Sequence, residues 1–257
     1  MEQELLNVIH KIEEGFKDPI SGELKKFISG NSKRIRSYIA LCWLKALGAE
    51  LNNSIYNILA VGELIHNASL LHDDVLDDAN FRRNDTTFNK KFGGKISILF
   101  GDYILSFIFE KLQRINNPKV TSLYGNCMTQ MIKGEINQYF SRGNIPDFDE
   151  YIEICEKKTA KLFYTIMECC LIIAGIDCIE AIEFAKMFGI YFQIKNDLDE
   201  PSAQADRRNG IHTIIDIIGI EKTKALLDNY KEEMRKRLTV LNDNIYKAKL
   251  GDLLKGL

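Results

Sequence analysis

The residues best suited to chemistry in this chain are acidic. Asp73, Asp74, Asp77 and Asp78 stand close together in Leu70-Leu-His-Asp-Asp-Val-Leu-Asp-Asp78. On a helix Asp73 and Asp77 share one face, and Asp74 and Asp78 form a second such pair. Like charges at that spacing repel, and here they also lie near the negative end of the helix dipole, just before Asn80. The preceding stretch is apolar (Leu64, Ile65, Ala68, Leu70, Leu71), so the helix that carries the carboxylates runs into a core. Carboxylates gathered at a core rim call for a cation. Hard oxygen donors without a Cys or His cluster select Mg²⁺, which keeps several waters and binds one or two carboxylates together with phosphate oxygens. A phosphorylated ligand is therefore expected.

A second acidic group, Gln193-Ile-Lys-Asn-Asp-Leu-Asp-Glu200, also ends an apolar segment. Asn196 and Glu200 are one helical turn apart with Asp197 beside them, and all offer oxygen donors. Two such ends are read as opposite walls of one cavity. Basic residues complete the set. Lys33-Arg34-Ile35-Arg36 opens a helix, where free backbone N–H groups favour anions. Arg82 and Arg83 follow the first acidic group, and a guanidinium grips phosphate through a two-pronged fork.

The elements that must position these groups are helices. Apolar residues recur at i, i+3 and i+4 almost throughout, and alternating β-branched runs are scarce. The spacing predicts helices over 2–16, 33–48, 54–79, 95–115, 119–141, 149–174, 178–199 and 221–250. Asn52-Asn-Ser54 and Asp147-Phe-Asp149 read as N-caps, and Gly30-Asn-Ser32 as a loop and cap. The 4 prolines fall at breaks, and no linker or repeat divides the 257 residues. One all-α domain over 1–257 is expected, a single large bundle of long, mostly antiparallel helices. Lys+Arg 34 against Asp+Glu 36 argues against a nucleic-acid partner. The 6 cysteines form no CxxC pair, the amino-terminal residues lack an apolar signal core, and no stretch is long enough to span a bilayer. A soluble cytoplasmic protein with reduced core thiols is expected, and His10 and His212 are read as surface or capping residues.

In this order along the chain, the residues resemble the trans-polyprenyl diphosphate synthases, the head-to-tail prenyltransferases. Lys33-Arg-Ile-Arg36 resembles the family's GKRxR element, and HDDVLDDANFRR its first aspartate-rich motif, with Glu63-Leu-Ile-His66 ahead of it. Gly101-Asp102, Gly134-Glu-Ile-Asn-Gln138, Lys158-Thr159 and Gln193 to Glu200 resemble its GDxL, GExxQ, KT and second aspartate-rich elements. The resemblance implies an isoprenoid synthase-like fold around a central cavity, a homodimer, and two or three Mg²⁺ ions per active site. It implies that Asp73, Asp74 and Asp77 bind Mg²⁺ bridging to an allylic diphosphate, and that Asn196, Asp197 and Glu200 hold further Mg²⁺. Arg82, Lys158 and Gln193 would contact that diphosphate. Lys33, Arg36, His66 and Arg83 would grip isopentenyl diphosphate, and Thr159 would lie near the reacting carbons.

The chain departs from the pattern in places. Asn196 stands where the family has aspartate, Ile211 stands for a lysine in Gly210-Ile-His-Thr213, and Asn84 replaces a glycine. Arg207 or Arg208 could take over from the lysine. These departures keep two other readings open: a weakly active or regulatory subunit of a heteromeric synthase, and a terpene cyclase. Small residues before the first aspartate, Ala68 and Ser69, imply an open pocket and a product longer than farnesyl, with a floor set by Met128, Met131 or Phe107.

Overall fold

The computed structural model describes residues 1–17, 21–30, 33–82, 85–199 and 209–256. Two compact units emerge, Met1–Leu41 with Leu51–Thr121, and Cys42–Glu50 with Ser122–Leu257.

The first unit is built on one long helix. It contains α1 (Glu2–Glu13), α2 (Ser21–Ser29), the start of α3 (Ile35–Ala46), α4 (Asn53–Leu76), a hairpin of β1 (Phe81–Arg82) and β2 (Asp85–Thr86), α5 (Phe88–Phe92) and α6 (Gly94–Ile115). Asn52 starts α4, its side chain accepting the Ile55 N–H at 3.0 Å. From Ile55 to Leu71 the helix is buried on most of its circumference, because its residues are apolar nearly all round. It packs between α1 and α6. Lys111 on α6 is itself buried, and its ammonium donates to the Lys11 carbonyl near the end of α1.

The second unit is centred on α10 (Ile179–Leu198). Around it lie α8 (Phe148–Cys155), a π-helical turn (Glu156–Ala160), α9 (Lys161–Ala174), α11 (Ile214–Ile218) and α12 (Ile220–Arg237). α7 (Pro118–Phe140), a 3-10 turn (Leu238–Val240) and α13 (Ile245–Lys255) complete it. Phe184, Phe188 and Phe192 follow one another up α10 with centroids 6.3 Å apart, and Phe163 of α9 leans on Phe188 at 5.4 Å. Trp43 of α3, fully buried, meets Phe184 edge-on at 5.5 Å. All six cysteines are buried, and none is in a disulfide.

The all-α expectation holds, with corrections at element ends. The helix expected over 54–79 stops at Leu76, because Asp78 turns into the left-handed region at φ 47°. That expected over 149–174 is interrupted by the π turn. That expected over 221–250 is two helices, parted where Asn244 caps α13 by accepting from the Tyr246 and Lys247 N–H groups at 2.9 and 3.0 Å. α2, α5 and the hairpin lie outside the expected elements. Asp147 caps α8 in a reciprocal box with Glu150, as the spacing predicts. The cap expected at Gly30-Asn-Ser32 falls partly outside the described residues. Among the described residues no helix is long and apolar enough to cross a membrane.

Candidate active site

In the first unit the acidic end of α4 is held by the hairpin behind it. After Asp78 the chain reverses through β1 and β2 and brings Arg82 back onto the helix. Its Nε donates to Asp74 Oδ1 at 2.8 Å, with a second guanidinium nitrogen also 2.8 Å from that oxygen. Asp74 is fully buried. Burial pushes its carboxyl above the usual carboxylate range, Arg82 pulls it down, and Asp77 pushes it up again. The other oxygen, Oδ2, is buried without a hydrogen-bond partner among the described residues. Buried acceptors are almost always satisfied. A carboxylate oxygen left this way, beside the half-exposed Asp73 and Asp77, fits a cation as its partner. Among the described residues no group of three His, Cys, Asp or Glu is placed to hold a metal ion.

The residue before the aspartates is clamped as well. The imidazole Nε2 of His72 lies 3.3 Å from the Ile98 carbonyl and 3.5 Å from Asp102. It sits so close to α6 that a Cβ at Gly101 would be 2.1 Å from it.

The basic group of this unit gathers at the start of α3. Arg34 enters the helix with φ 43° and is largely buried, donating to the Ile28 carbonyl at 3.2 Å. Lys33 is exposed and Arg36 half-buried. Ser37 donates to the buried Glu63 at 2.6 Å, which ties the first turn of α3 to α4 one turn before His66. The helix start that carries Lys33 and Arg36 is thus fixed beside the segment that carries His66.

In the second unit, Lys158 and Thr159 ride on the π turn, a feature that often marks function. The Lys158 ammonium pairs with Glu135 at 2.8 Å and also donates to Gln138, both on α7. Thr159 donates to Gln193 at 2.9 Å, and the Gln193 amide donates to Asp197 Oδ1 at 3.2 Å. Asp197 is buried, and its Oδ2 accepts from the Tyr151 hydroxyl at 2.7 Å and the Ile214 N–H at 3.1 Å. Burial raises its carboxyl above the usual range and these three donors pull it back. Asn196 is half-exposed. Of this pair, Asp197 is committed to protein donors and Asn196 is the more accessible. A cavity of ≈ 40 Å³ lies among Lys158, Gln193, Asp197, Cys155 and His212.

The first unit therefore holds Asp73, Asp74, Asp77, Arg82, Lys33, Arg36 and His66, and the second holds Lys158, Thr159, Gln193, Asn196 and Asp197. Arg83, Glu200, Arg207 and Arg208 lie outside the described residues. Sequence reasoning missed Tyr151 and the Ile214 N–H, since neither belongs to a charged motif. His212, read as a surface or capping residue, is about one-third exposed and also lines the cavity with Lys158. Phe107, expected on a pocket floor, packs on the end of α1, 4.9 Å from the Phe16 ring.

The family described as polyprenyl synthetase matches residues 18–249. The chain is 35% identical over 177 residues to the decaprenyl-diphosphate synthase of Dictyostelium discoideum, covering 68% of this chain and 39% of that protein. It is 34% identical over 185 residues to the octaprenyl diphosphate synthase of Escherichia coli (strain K12), covering 70% of this chain and 57% of that one. The chain thus spans about half the length of the curated relatives it matches. The fold is that of a decaprenyl diphosphate synthase from Rhodobacter capsulatus, with TM-score 0.90 at 24% identity over 99% of this chain and 95% of that one.

Proposed function

Given that the chain belongs to the polyprenyl synthetase family, we propose that it is a trans-prenyltransferase. On this reading it condenses isopentenyl diphosphate with an allylic diphosphate and makes a polyprenyl diphosphate longer than farnesyl. The observation that carries the reading is Asp74: a buried carboxylate with Arg82 on one oxygen and, among the described residues, no hydrogen-bond partner on the other. That is a seat for a cation with a phosphate-binding guanidinium beside it.

Asp73, Asp74 and Asp77 would hold Mg²⁺ on one side, and Asn196, Asp197 and Glu200 further Mg²⁺ on the other, two or three ions in all. Bound there, the metal would offset the negative charge that builds on the departing diphosphate. Arg82 and Lys158 would bind the same group. Gln193, fixed between Thr159 and Asp197, would orient it, and Thr159 would border the reacting carbons. Lys33, Arg36, His66 and Arg83 would bind isopentenyl diphosphate, with the α3 start held rigid by Ser37 and Glu63. The helical environment around the site would keep water from a short-lived allylic cation.

The same proposal takes residues 1–257 as one prenyltransferase domain working in the cytoplasm, where thiols persist without forming disulfides. It takes the active form as a homodimer. Exposed Leu99 and Phe109 on α6, and exposed Ile132, Ile136 and Phe140 on α7, give each unit apolar surface for a second copy.

The test is to incubate the purified chain with Mg²⁺, isopentenyl diphosphate and each allylic primer, and to resolve products by length. Products beyond farnesyl diphosphate are expected. An isolated chain without turnover would point instead to a regulatory subunit.

A further inference from the structure

The basic residues named so far leave one cavity only partly explained. Among the described residues that line it, the basic ones are Lys158 and His212, and no motif assigns His212 to the site. The segment that carries His212 is fastened at both ends. On one side the Gly210 carbonyl accepts the Gly143 N–H at 2.7 Å, tying it to the turn after α7. On the other, Thr213 and Asp216 form a reciprocal cap at the start of α11, and the Ile214 N–H is bound to Asp197. His212 stands between these anchors, about one-third exposed, with Nδ1 3.9 Å from an Asp216 oxygen. Asp216 is itself engaged by the Thr213 N–H at 2.8 Å and hydroxyl at 3.1 Å. Its carboxylate is therefore a fixed feature on one side of the imidazole, and the cavity lies on another.

The lining offers donors to an anion: the Lys158 ammonium, the Gln138 amide, the second N–H of the Gln193 amide and the His212 imidazole, while the Tyr151 hydroxyl is already given to Asp197. A water-sized oxygen needs about 10–15 Å³ of such space. At ≈ 40 Å³ the cavity admits the terminal oxygens of one phosphoryl group and not a whole substrate. We propose that His212 is a diphosphate-binding residue, reaching the phosphoryl group of the allylic substrate in this cavity. The neighbouring Ile211, which also lines the cavity, cannot donate a hydrogen bond, so the contact falls to His212. This assignment rests on the prenyltransferase reading for its substrate, though not for the anion itself.

Two measurements separate the inference from that reading. Inorganic diphosphate binding is followed by calorimetry with the full chain, and the Michaelis constants of both substrates by turnover. His212→Ala and His212→Lys are compared with the unmodified protein, circular dichroism confirming their fold. Losing a charge-assisted hydrogen bond costs about ten-fold or more in affinity. His212→Ala should weaken diphosphate by that factor and raise the allylic KM alike, leaving the isopentenyl KM unchanged, and His212→Lys should restore both. If the unmodified protein binds diphosphate through His212 yet makes no product, the inference stands and the prenyltransferase reading falls. If product forms and His212→Ala changes neither quantity, the inference falls alone. If the unmodified protein neither binds diphosphate nor turns over, both fall.

Discussion

A Cβ on Gly189 would lie 2.4 Å from the Cα of Ala160. Helix α10 and the π turn are in backbone contact there, with no room for a methyl group, and from the other side a Cβ on Gly134 would be 3.0 Å from the Lys157 side chain. The π turn is thus held between α10 and α7. Gly189→Ala must push the turn away, at roughly 1–3 kcal/mol for overpacking. The expected result is a lower Tm and a raised allylic KM, because Lys158 and Thr159 move with the turn. Enzyme kinetics and a thermal melt on the same sample check it.

The buried pair of Asp74 and Arg82 predicts opposite effects for its two partners. Arg82→Ala leaves a carboxylate buried without compensation, a loss of about 3–5 kcal/mol. Asp74→Asn removes the charge that burial disfavours. Since the folded-state carboxyl is raised, the native protein holds its proton to higher pH than the unfolded chain does, and ionisation costs stability as pH rises above about 4. Asp74→Asn should therefore melt at or above the unmodified Tm at pH 7, the advantage growing with pH, while turnover falls by orders of magnitude. An active Asp74→Asn enzyme would sink the site assignment.

Substrate binding should divide between the two sets of basic residues. Lys33→Ala and Arg36→Ala should mainly raise the KM of isopentenyl diphosphate, and Lys158→Ala that of the allylic substrate, each by about ten-fold. Equal effects on both substrates from each variant would contradict the division.

Lys111 supplies a pH test away from the site. Burial lowers its ammonium below the usual lysine value, with Glu14 opposing the shift. The unfolded chain then binds more protons at this position in the window just below 10.5, so this group's contribution to stability rises with pH there. Lys111→Met should remove that rise. Tm profiles from pH 7 to 10 compare the two proteins, and parallel profiles would refute the prediction.

Product length is best probed at Ser69. Ala68 is buried to 1% exposure, so Ala68→Phe would overpack α4 before it blocked any pocket. Ser69 is only half-buried, its hydroxyl donating to the His66 carbonyl at 2.9 Å. Ser69→Phe should shorten the longest product toward farnesyl with the first condensation still fast, as read by chromatography of the dephosphorylated products.

The acidic end of α4 was legible because several local signals agreed: the Asn52 cap, the apolar run and the aspartates that end it. The hairpin after it left no such signal, since strands of two residues carry no periodicity. The break before α13 was overlooked because Asn242, Asp243 and Asn244 read as polar residues on a helix face; the helix tightens into a 3-10 turn after Arg237, and Asn244, also bonded to the Ala46 carbonyl at 3.1 Å, starts a new one. The π turn has no signature of composition at all. It packs closely against the glycines of two other helices, and with it comes the placement of Lys158. The nearness of His212 to the cavity was not legible for a similar reason, because its segment is positioned by Gly143 and Asp197, both distant along the chain.

The six buried cysteines give the protein an internal clock. Burial pushes the Cys155 thiol up to about 12 and Cys170 higher still, so neither offers thiolate to a reagent in the native state. Cys178, at 8% exposure, is the least protected. A colorimetric disulfide reagent added under native conditions should therefore label Cys178 first. The other thiols should follow only as fast as the chain opens, so that after that first step the colour records the opening rate, which should fall when diphosphate and metal bind the folded chain.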